Sequence, residues 1–460
     1  MCGARATADG LVQGAAERLG LPLLTLSMDE LLESPPDLDE LLFRLAREGL
    51  LSQAALYLRH LDRALEPPNG ESRSRSFMRC IADMGGVVFA SGEQSWNWPL
   101  PPASIALKIV ELQPDGFADQ VQAWRAVSNG ALDEAELHRL VSLQPLPVAV
   151  IPDIWRMATV IGTTNENDAA TSPSIHHVRQ ACRAHAGRPA STLARRIEPK
   201  HKWEDLVLPG PQLEQLTALC SQAKHSSIVY GSWGFERKLA LGRGLNALFC
   251  GPPGTGKSMA AEVIATDLGV EILKIDLSQV VSKYIGETEK NLRQLFDQAG
   301  RANAILFFDE ADALLGKRSE VKDAHDRYAN TETAYLLQKM EEYTGISILA
   351  TNFRQNIDDA FVRRMRFIID FPFPEDDDRL RIWQSVWPSE TPIAADVDLP
   401  TLARQFRLAG GSIRNVALAA AFLAAEQGRP VSMQHLMRAT KRELQKMGRL
   451  VNEEDHRKYG

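Results

Sequence analysis

The eight residues GPPGTGKS, Gly251 to Ser258, constrain the fold of this 460-residue chain more than any other stretch. They fit the pattern G-x-x-x-x-G-K-[ST] and stand where that pattern has meaning, between a strand and a helix. LNALFCG, Leu245 to Gly251, is apolar and short enough for a buried strand, and SMAAEVIATDLG after the loop has helical spacing. The alternation continues downstream. VEILKIDL reads as a strand, ETEKNLRQLFDQAG as a helix, AILFFDEAD as a strand, TETAYLLQKMEEY as a helix and ISILATN as a strand. Such alternation predicts an α/β fold. After FPFPEDDDRLRIWQSVW the spacing is purely helical, as in GGSIRNVALAAAFLAAEQG and SMQHLMRATKRELQKMG, which predicts a small helical subdomain.

The loop has a specific chemistry. Its glycines let backbone N–H groups close around phosphate oxygens, and the helix N-terminus adds a favourable partial charge. Lys257 then reaches the β- and γ-phosphates, and Ser258 ligates Mg2+. A Gly-rich turn that only caps a helix is the alternative; the acidic strand end downstream argues against it. There, Asp309 and Glu310 follow four consecutive apolar residues. Asp309 suits holding Mg2+ through water, and Glu310 suits polarising the attacking water. Asn352 ends ILATN, a neutral amide suited either to orienting water and sensing the γ-phosphate or to making a turn. In IDDAFVRRMRF, a helix exposing Arg363, Arg364 and Arg366 is either a subunit face or a surface cluster. A guanidinium given in trans to a neighbour's γ-phosphate is worth about 10³ to 10⁵ in rate.

Composition narrows the partners. A net charge of -7 gives no cationic field for nucleic acid or anionic lipid. The five cysteines, Cys2, Cys80, Cys182, Cys220 and Cys250, lack CxxC spacing, and the start lacks a secretory pattern. Reduced thiols in a cytoplasmic protein are expected. The ten histidines form no metal-ligand pattern, and His176 and His177 fall on a surface helix.

Together, GPPGTGKS, ILFFDEADALLGKR, SILATN and IDDAFVRRMRF strongly resemble the AAA ATPases, from Lys200 to about Leu450. The resemblance implies a doubly wound P-loop core, here residues 203–371, with a C-terminal helical lid at 372–450. It implies ATP and Mg2+ as cofactors and a ring-shaped oligomer, usually a hexamer. Nucleotide would be held by Gly251, Pro252, Pro253, Gly254, Thr255, Gly256, Lys257, Ser258 and Met259. The family's Arg-x-x-Arg-Phe finger pattern falls on Arg363 and Arg366, with Arg364 an extra charge. SKYIGETEKNL resembles the first pore loop, in which Tyr284, Ile285 and Gly286 would grip an extended polypeptide. GGSIRNV sits where the family's lid meets nucleotide, so Gly410 and Gly411 approach the adenosine and Arg414 is a candidate second sensor. The texture of the chain resembles a bacterial branch with members that accompany contractile injection systems.

The first half reads as a second, altered copy. ERLGLPLLTLS matches TDLGVEILKID, LYLRHLD matches LFFDEAD, and GGVVFASG matches GISILATN, in the same order. VELQPDGFADQVQAW and PSIHHVRQACRA match the lid. At the family's positions the acids become Arg59 and His60, the Asn becomes Gly92, and no Lys occurs between Met1 and Asp9. Residues 1–182 are therefore expected to be a degenerate, N-terminally incomplete AAA-like module, with its core at 1–112 and its lid at 113–182. The strand that should precede the P-loop position is missing: either the true start lies upstream or the sheet is gapped. Weak order is expected before residue 15. Residues 183–202 read as a linker and 451–460 as a polar tail.

The preferred reading is an ATPase that remodels, threads or disassembles a protein partner. A nucleotide-gated assembly scaffold without threading is the second reading. A nucleic-acid motor is the third, and the acidic balance weighs against it.

Overall fold

The computed structural model describes residues 5–28, 38–64, 70–92, 106–112, 115–163, 172–185, 194–238, 243–277, 287–311, 324–352 and 359–448. Two compact units form: Met1–Val141 with Pro145–Cys182, and Ser142–Gln144 with Arg183–Gly460.

In the first unit, β1 (Leu23–Ser27), β2 (Ala55–Arg59) and β3 (Val88–Ala90) make a parallel three-stranded sheet in that order. Leu56, Leu58, Leu61, Phe77, Leu42 and Met28 form its core. A separate helical core gathers Trp124, Leu137, Ile151, Ile154 and Val178. The expectation of weak order before about residue 15 falls partly on residues 1–4, which lie outside the described residues. Arg5–Leu19 is a helix, and Ala8, Val12 and Ala16, at a four-residue repeat, are its buried stripe.

In the second unit the sheet has six strands in the order β4-β6-β7-β8-β5-β9. These are β4 (Ala194–Ile197), β5 (Leu245–Cys250), β6 (Ile272–Asp276), β7 (Ile305–Asp309), β8 (Ile346–Thr351) and β9 (Phe367–Asp370). All are parallel except β4, which pairs antiparallel with β6. Residues 183–202 are therefore not simply a linker. Ala194 and Ile197 are half-buried while Arg195 and Arg196 face solvent, a polar edge strand with little apolar signal.

The central strands are buried on both faces, which is why they read as unbroken apolar runs. Alternate residues serve opposite faces. Ala247, Phe249, Ile305, Phe307 and Ile348 pack with the helices Gly210–Ser227 and Lys257–Leu268. Leu248, Leu306, Phe308 and Leu349 pack with Glu287–Ala302 and Ala324–Glu342. This is a doubly wound sheet. Because β5 to β9 run parallel, their carboxyl ends open on one edge, and the loop after β5 lies there.

Four helices follow β9: Asp376–Ser385, Leu399–Gln405, Gly410–Glu426 and Met433–Lys446. Trp383, Leu402, Ile413, Val416, Ala420 and Leu436 make their core. Arg379 fastens the first of these helices. Only 4% exposed, it donates from Nε to Ala403 O at 2.7 Å and from Nη1 to Pro374 O at 2.7 Å, and it pairs with Asp376. Bonds of this kind, from a charged group with little water to replace them, are among the stronger ones. Replacing Arg379 with Ala is predicted to destabilise the helical subdomain by roughly 2–4 kcal/mol. Thermal unfolding followed by tryptophan fluorescence, with Trp383 buried in the same core, should show an earlier transition.

Candidate active site

The loop after β5 can form only because of its glycines. Gly251 has φ 150°, Gly254 79° and Gly256 102°, all in the region side chains avoid. At Gly251 a Cβ would lie 2.2 Å from Phe371 O, so the backbone just after β9 occupies the space of any side chain. Thr255 Oγ1 donates to Pro252 O at 2.9 Å and closes the loop from within. The helix Lys257–Leu268 starts immediately afterwards, with its first N–H groups at the loop's mouth.

Lys257 is 9% exposed and points back under the loop. Its Nζ donates to Gly251 O at 2.6 Å, Pro252 O at 3.0 Å and Asn352 Oδ1 at 2.9 Å. One ammonium thus links the loop after β5 to the tip of β8.

Asp309 is the last residue of β7, and both of its carboxylate oxygens are held. Oδ1 accepts from Glu310 N at 3.0 Å, and Oδ2 meets Lys274 Nζ at 2.6 Å. Glu310 has φ 51°, an unfavourable backbone for a residue with a side chain, and its carboxylate is exposed. Lys274 escapes sequence reading, because only the parallel register of β6 with β7 carries it to Asp309.

A cavity of about 520 Å³ unites these groups, a volume typical of small-molecule sites. Pro253 to Met259, Asp309, Glu310, Asn352, Gly410, Gly411 and Arg414 all line it. Gly411 N donates to Gly254 O at 2.9 Å, and a Cβ on Gly411 would sit 3.2 Å from Gly254 Cα. Lid and loop backbones therefore touch where two glycines permit it. The motifs do not reveal the rest of the lining. His201, Asp205 and Leu206 to Pro209 come from the segment before the helix Gly210–Ser227, and Asp378, Ile382, Ser385 and Val386 from the first lid helix and its C-terminal end. The segment is neither Gly-rich nor charged in a pattern, so its only signal is proximity in the fold.

Arg363 and Arg366 do not line this cavity. They follow the four-residue helix Asp359–Val362 rather than lying on it, in the turn that leads into β9. Both are exposed. Arg366 Nη1 donates to Tyr230 OH at 2.7 Å, and Arg364 pairs with Glu341. Tyr284, Ile285 and Gly286 lie outside the described residues, as does the tail at 451–460.

The residues present fit Mg-ATP. Backbone donors at a helix start, a lysine under the loop, and a hydroxyl and a carboxylate on neighbouring elements match the donor set of a triphosphate and a hard cation. Among the described residues no group of three or more His, Cys, Asp or Glu is placed to hold a metal by protein ligands alone. No described helix is long and apolar enough to cross a membrane. Gly251→Ala is predicted to destabilise the core by at least about 1–3 kcal/mol, the usual cost of forced backbone strain. Thermal unfolding should show the loss with and without nucleotide.

Residues 247–374 match the model of the ATPase family associated with various cellular activities (AAA), and residues 375–446 match the contractile injection system ATPase helical domain. An uncharacterised AAA family ATPase of Sinorhizobium fredii is 32% identical over 186 residues, which cover 40% of this chain and 54% of the relative. A katanin p60 ATPase-containing subunit of Strongylocentrotus purpuratus is 33% identical over 239 residues, covering 46% of each chain. A proteasome-activating nucleotidase of Saccharolobus islandicus is 31% identical over 201 residues, covering 42% of this chain and 51% of the relative. The chain thus spans about half the length of these relatives.

Proposed function

The chain carries an AAA ATPase domain followed by a contractile injection system ATPase helical domain, and we propose that it hydrolyses Mg-ATP between adjacent subunits of a ring to remodel a protein partner. One observation carries this reading: Lys257, Ser258, Asp309, Glu310, Asn352 and Arg414 line one cavity, whereas Arg363 and Arg366 are exposed elsewhere. A site with its base and its metal ligands but without its finger is half of an intersubunit site.

ATP with Mg2+ supplies the phosphoanhydride bond and the charge neutralisation that phosphoryl transfer needs. Ser258 and Asp309 would hold the metal, the latter through water. Lys257, whose ammonium lies under the loop, would hold the β- and γ-phosphates. Glu310 accepts a proton from the attacking water. Its φ of 51° turns its N–H onto Asp309, so one backbone kink orients the base and the acid beside it. Asn352 shares Lys257 with the loop and therefore responds when the ammonium shifts toward phosphate. Arg414 and Gly411 make the lid part of the pocket, which couples hydrolysis to movement of the lid helices. Arg363 and Arg366 act on the neighbour's site. Tyr284, Ile285 and Gly286 are assigned to gripping polypeptide in the central channel.

Several findings support a protein rather than a nucleic-acid partner. The net charge is -7, and the helical subdomain matches a contractile injection system component. The four described cysteines are unbridged, in keeping with a cytoplasmic setting.

Glu310→Gln is predicted to keep ATP binding and to lose turnover about 10²-fold or more. Equilibrium nucleotide binding and phosphate release, measured on the same protein, check the two halves of that statement. Tyr284→Ala should keep basal ATPase and lose its stimulation by an unstructured probe polypeptide. Undiminished stimulation would favour a nucleotide-gated scaffold.

A further inference from the structure

The three strands of the first unit repeat the backbone of β6, β7 and β8 in detail. β1 pairs with β2 so that Ser27 is opposite Arg59; β6 pairs with β7 so that Asp276 is opposite Asp309. The residue after each of these strand ends has positive φ, 56° at His60 and 51° at Glu310. The next residue then bonds to the third strand: Leu61 N to Ser91 O at 2.9 Å, and Ala311 N to Ala350 O at 3.0 Å. The helix before each middle strand ends alike, at Gln53 with φ 48° and Asn303 with φ 47°. Earlier still, Gly20 (φ 66°) and Gly269 (φ 72°) end the first helix of each set. Ala55 N bonds to Pro22 O at 2.8 Å, and Ile305 N to Glu271 O at 2.7 Å. Polar sequence on these turns does not impose such agreement; a common backbone does.

The correspondence seats each residue. Counting back from Gly20 and Gly269 along an unbroken helix, Ala8 stands where Lys257 does and Asp9 where Ser258 does. Arg59 takes the seat of Asp309. The register also corrects one expectation: Leu56 is opposite Val88 and Leu306 opposite Ser347, so Gly92 corresponds to Thr351. The counterpart of Asn352 is Glu93, which lies outside the described residues. Among the described residues the first unit has no counterpart of β5 or β9.

The seats of the two metal ligands therefore hold a carboxylate and a guanidinium, and they are joined. Arg59 pairs with Asp9 through Nη2, and Nε donates to Asp9 Oδ1 at 3.2 Å. Tyr57 OH donates to the same oxygen at 2.6 Å and lies 2.9 Å from Ser91 Oγ. In the second unit Tyr57 and Ser91 are matched by Phe307 and Ala350, which have no polar group to offer. Four positions have changed together into one network, and Tyr57 and Ser91 are buried within it.

We infer that residues 5–92 are an internal copy of the ATPase core in which Arg59, paired with Asp9, occupies the place of the metal as a built-in cation. The unit then needs neither Mg2+ nor nucleotide to hold its strand ends together, and it keeps one shape throughout the cycle of the second unit. This inference rests on the assignment of Ser258 and Asp309 as the Mg2+ ligands.

Amide hydrogen exchange on the full chain tests it. Mg-ADP should protect Gly251–Met259 and leave residues 5–19 and 55–61 unchanged; protection of both sets would overturn the inference. Arg59→Met should speed exchange at β1 to β3 without altering basal ATPase, and unchanged exchange there would also overturn it. Arg59→Asp goes further. It places two carboxylates, Asp9 and the new acid, in the former metal seat, so Mn2+ should bind that variant at least about tenfold more tightly than the parent protein binds it at this seat. Mn2+ should also restore slow exchange at β1 to β3, whereas Na+ at equal ionic strength should not. Failure of Mn2+ to restore it would mean that the pair is only an ion pair and that the seat is not a metal's. Mg-ADP that protected neither unit would overturn the ATPase reading instead, and the Arg59 variants, which need no nucleotide, would still decide this one.

Discussion

The ammonium of Lys257 is the contact on which the site depends. It lies beneath the loop after β5, holds two of that loop's carbonyls and reaches across to Asn352 at the tip of β8. A nearly buried charge needs such partners, and they define the shape that phosphate must enter. Everything near it is built to allow that shape: Gly251 presses against Phe371, Gly254 touches Gly411, and Thr255 ties the loop to itself. The sheet provides the frame. Parallel strands with both faces buried put Cys250, Asp309 and Thr351 at one edge.

Charge balance at the ends of the middle strands is a second constraint, and the two units meet it differently. In the second unit Asp309 accepts from Glu310 N–H and pairs with Lys274 on the neighbouring strand. In the first the signs are exchanged: the strand end brings the cation, Arg59, and the preceding helix brings the anion, Asp9. The backbones agree even where the conformation is unfavourable, with positive φ at both Glu310 and His60.

Much of this was legible in the residues. The α/β alternation, the phosphate loop, the acidic strand end and the helical subdomain all follow from local patterns. What stayed hidden depends on pairing between distant segments. Strand β4 has no sequence signature, because Arg195 and Arg196 leave this edge strand without an apolar run. Lys274 reaches Asp309 only through the register of β6 on β7. His201 to Pro209 and Asp378 to Val386 meet the loop only after the core and lid have folded. Sequence likeness sets Gly92 against Asn352, one residue off, because only the strand register fixes its counterpart as Thr351. The helix Arg5–Leu19 leaves little trace in the sequence because its buried stripe, Ala8, Val12 and Ala16, is narrow and made mostly of alanine.

On the reading proposed above, two copies of the chain share each reaction centre. Subunit mixing measures this most directly. Glu310→Gln protein keeps its arginines but lacks a working base, and Arg363→Ala/Arg366→Ala protein keeps its base but lacks the arginines. Each alone should be nearly inactive, and an equimolar mixture should regain phosphate release, because some interfaces then join an intact base to intact arginines. A mixture no more active than the sum of its parts, or full activity in the doubly arginine-deleted protein by itself, would mean that each copy completes its own site.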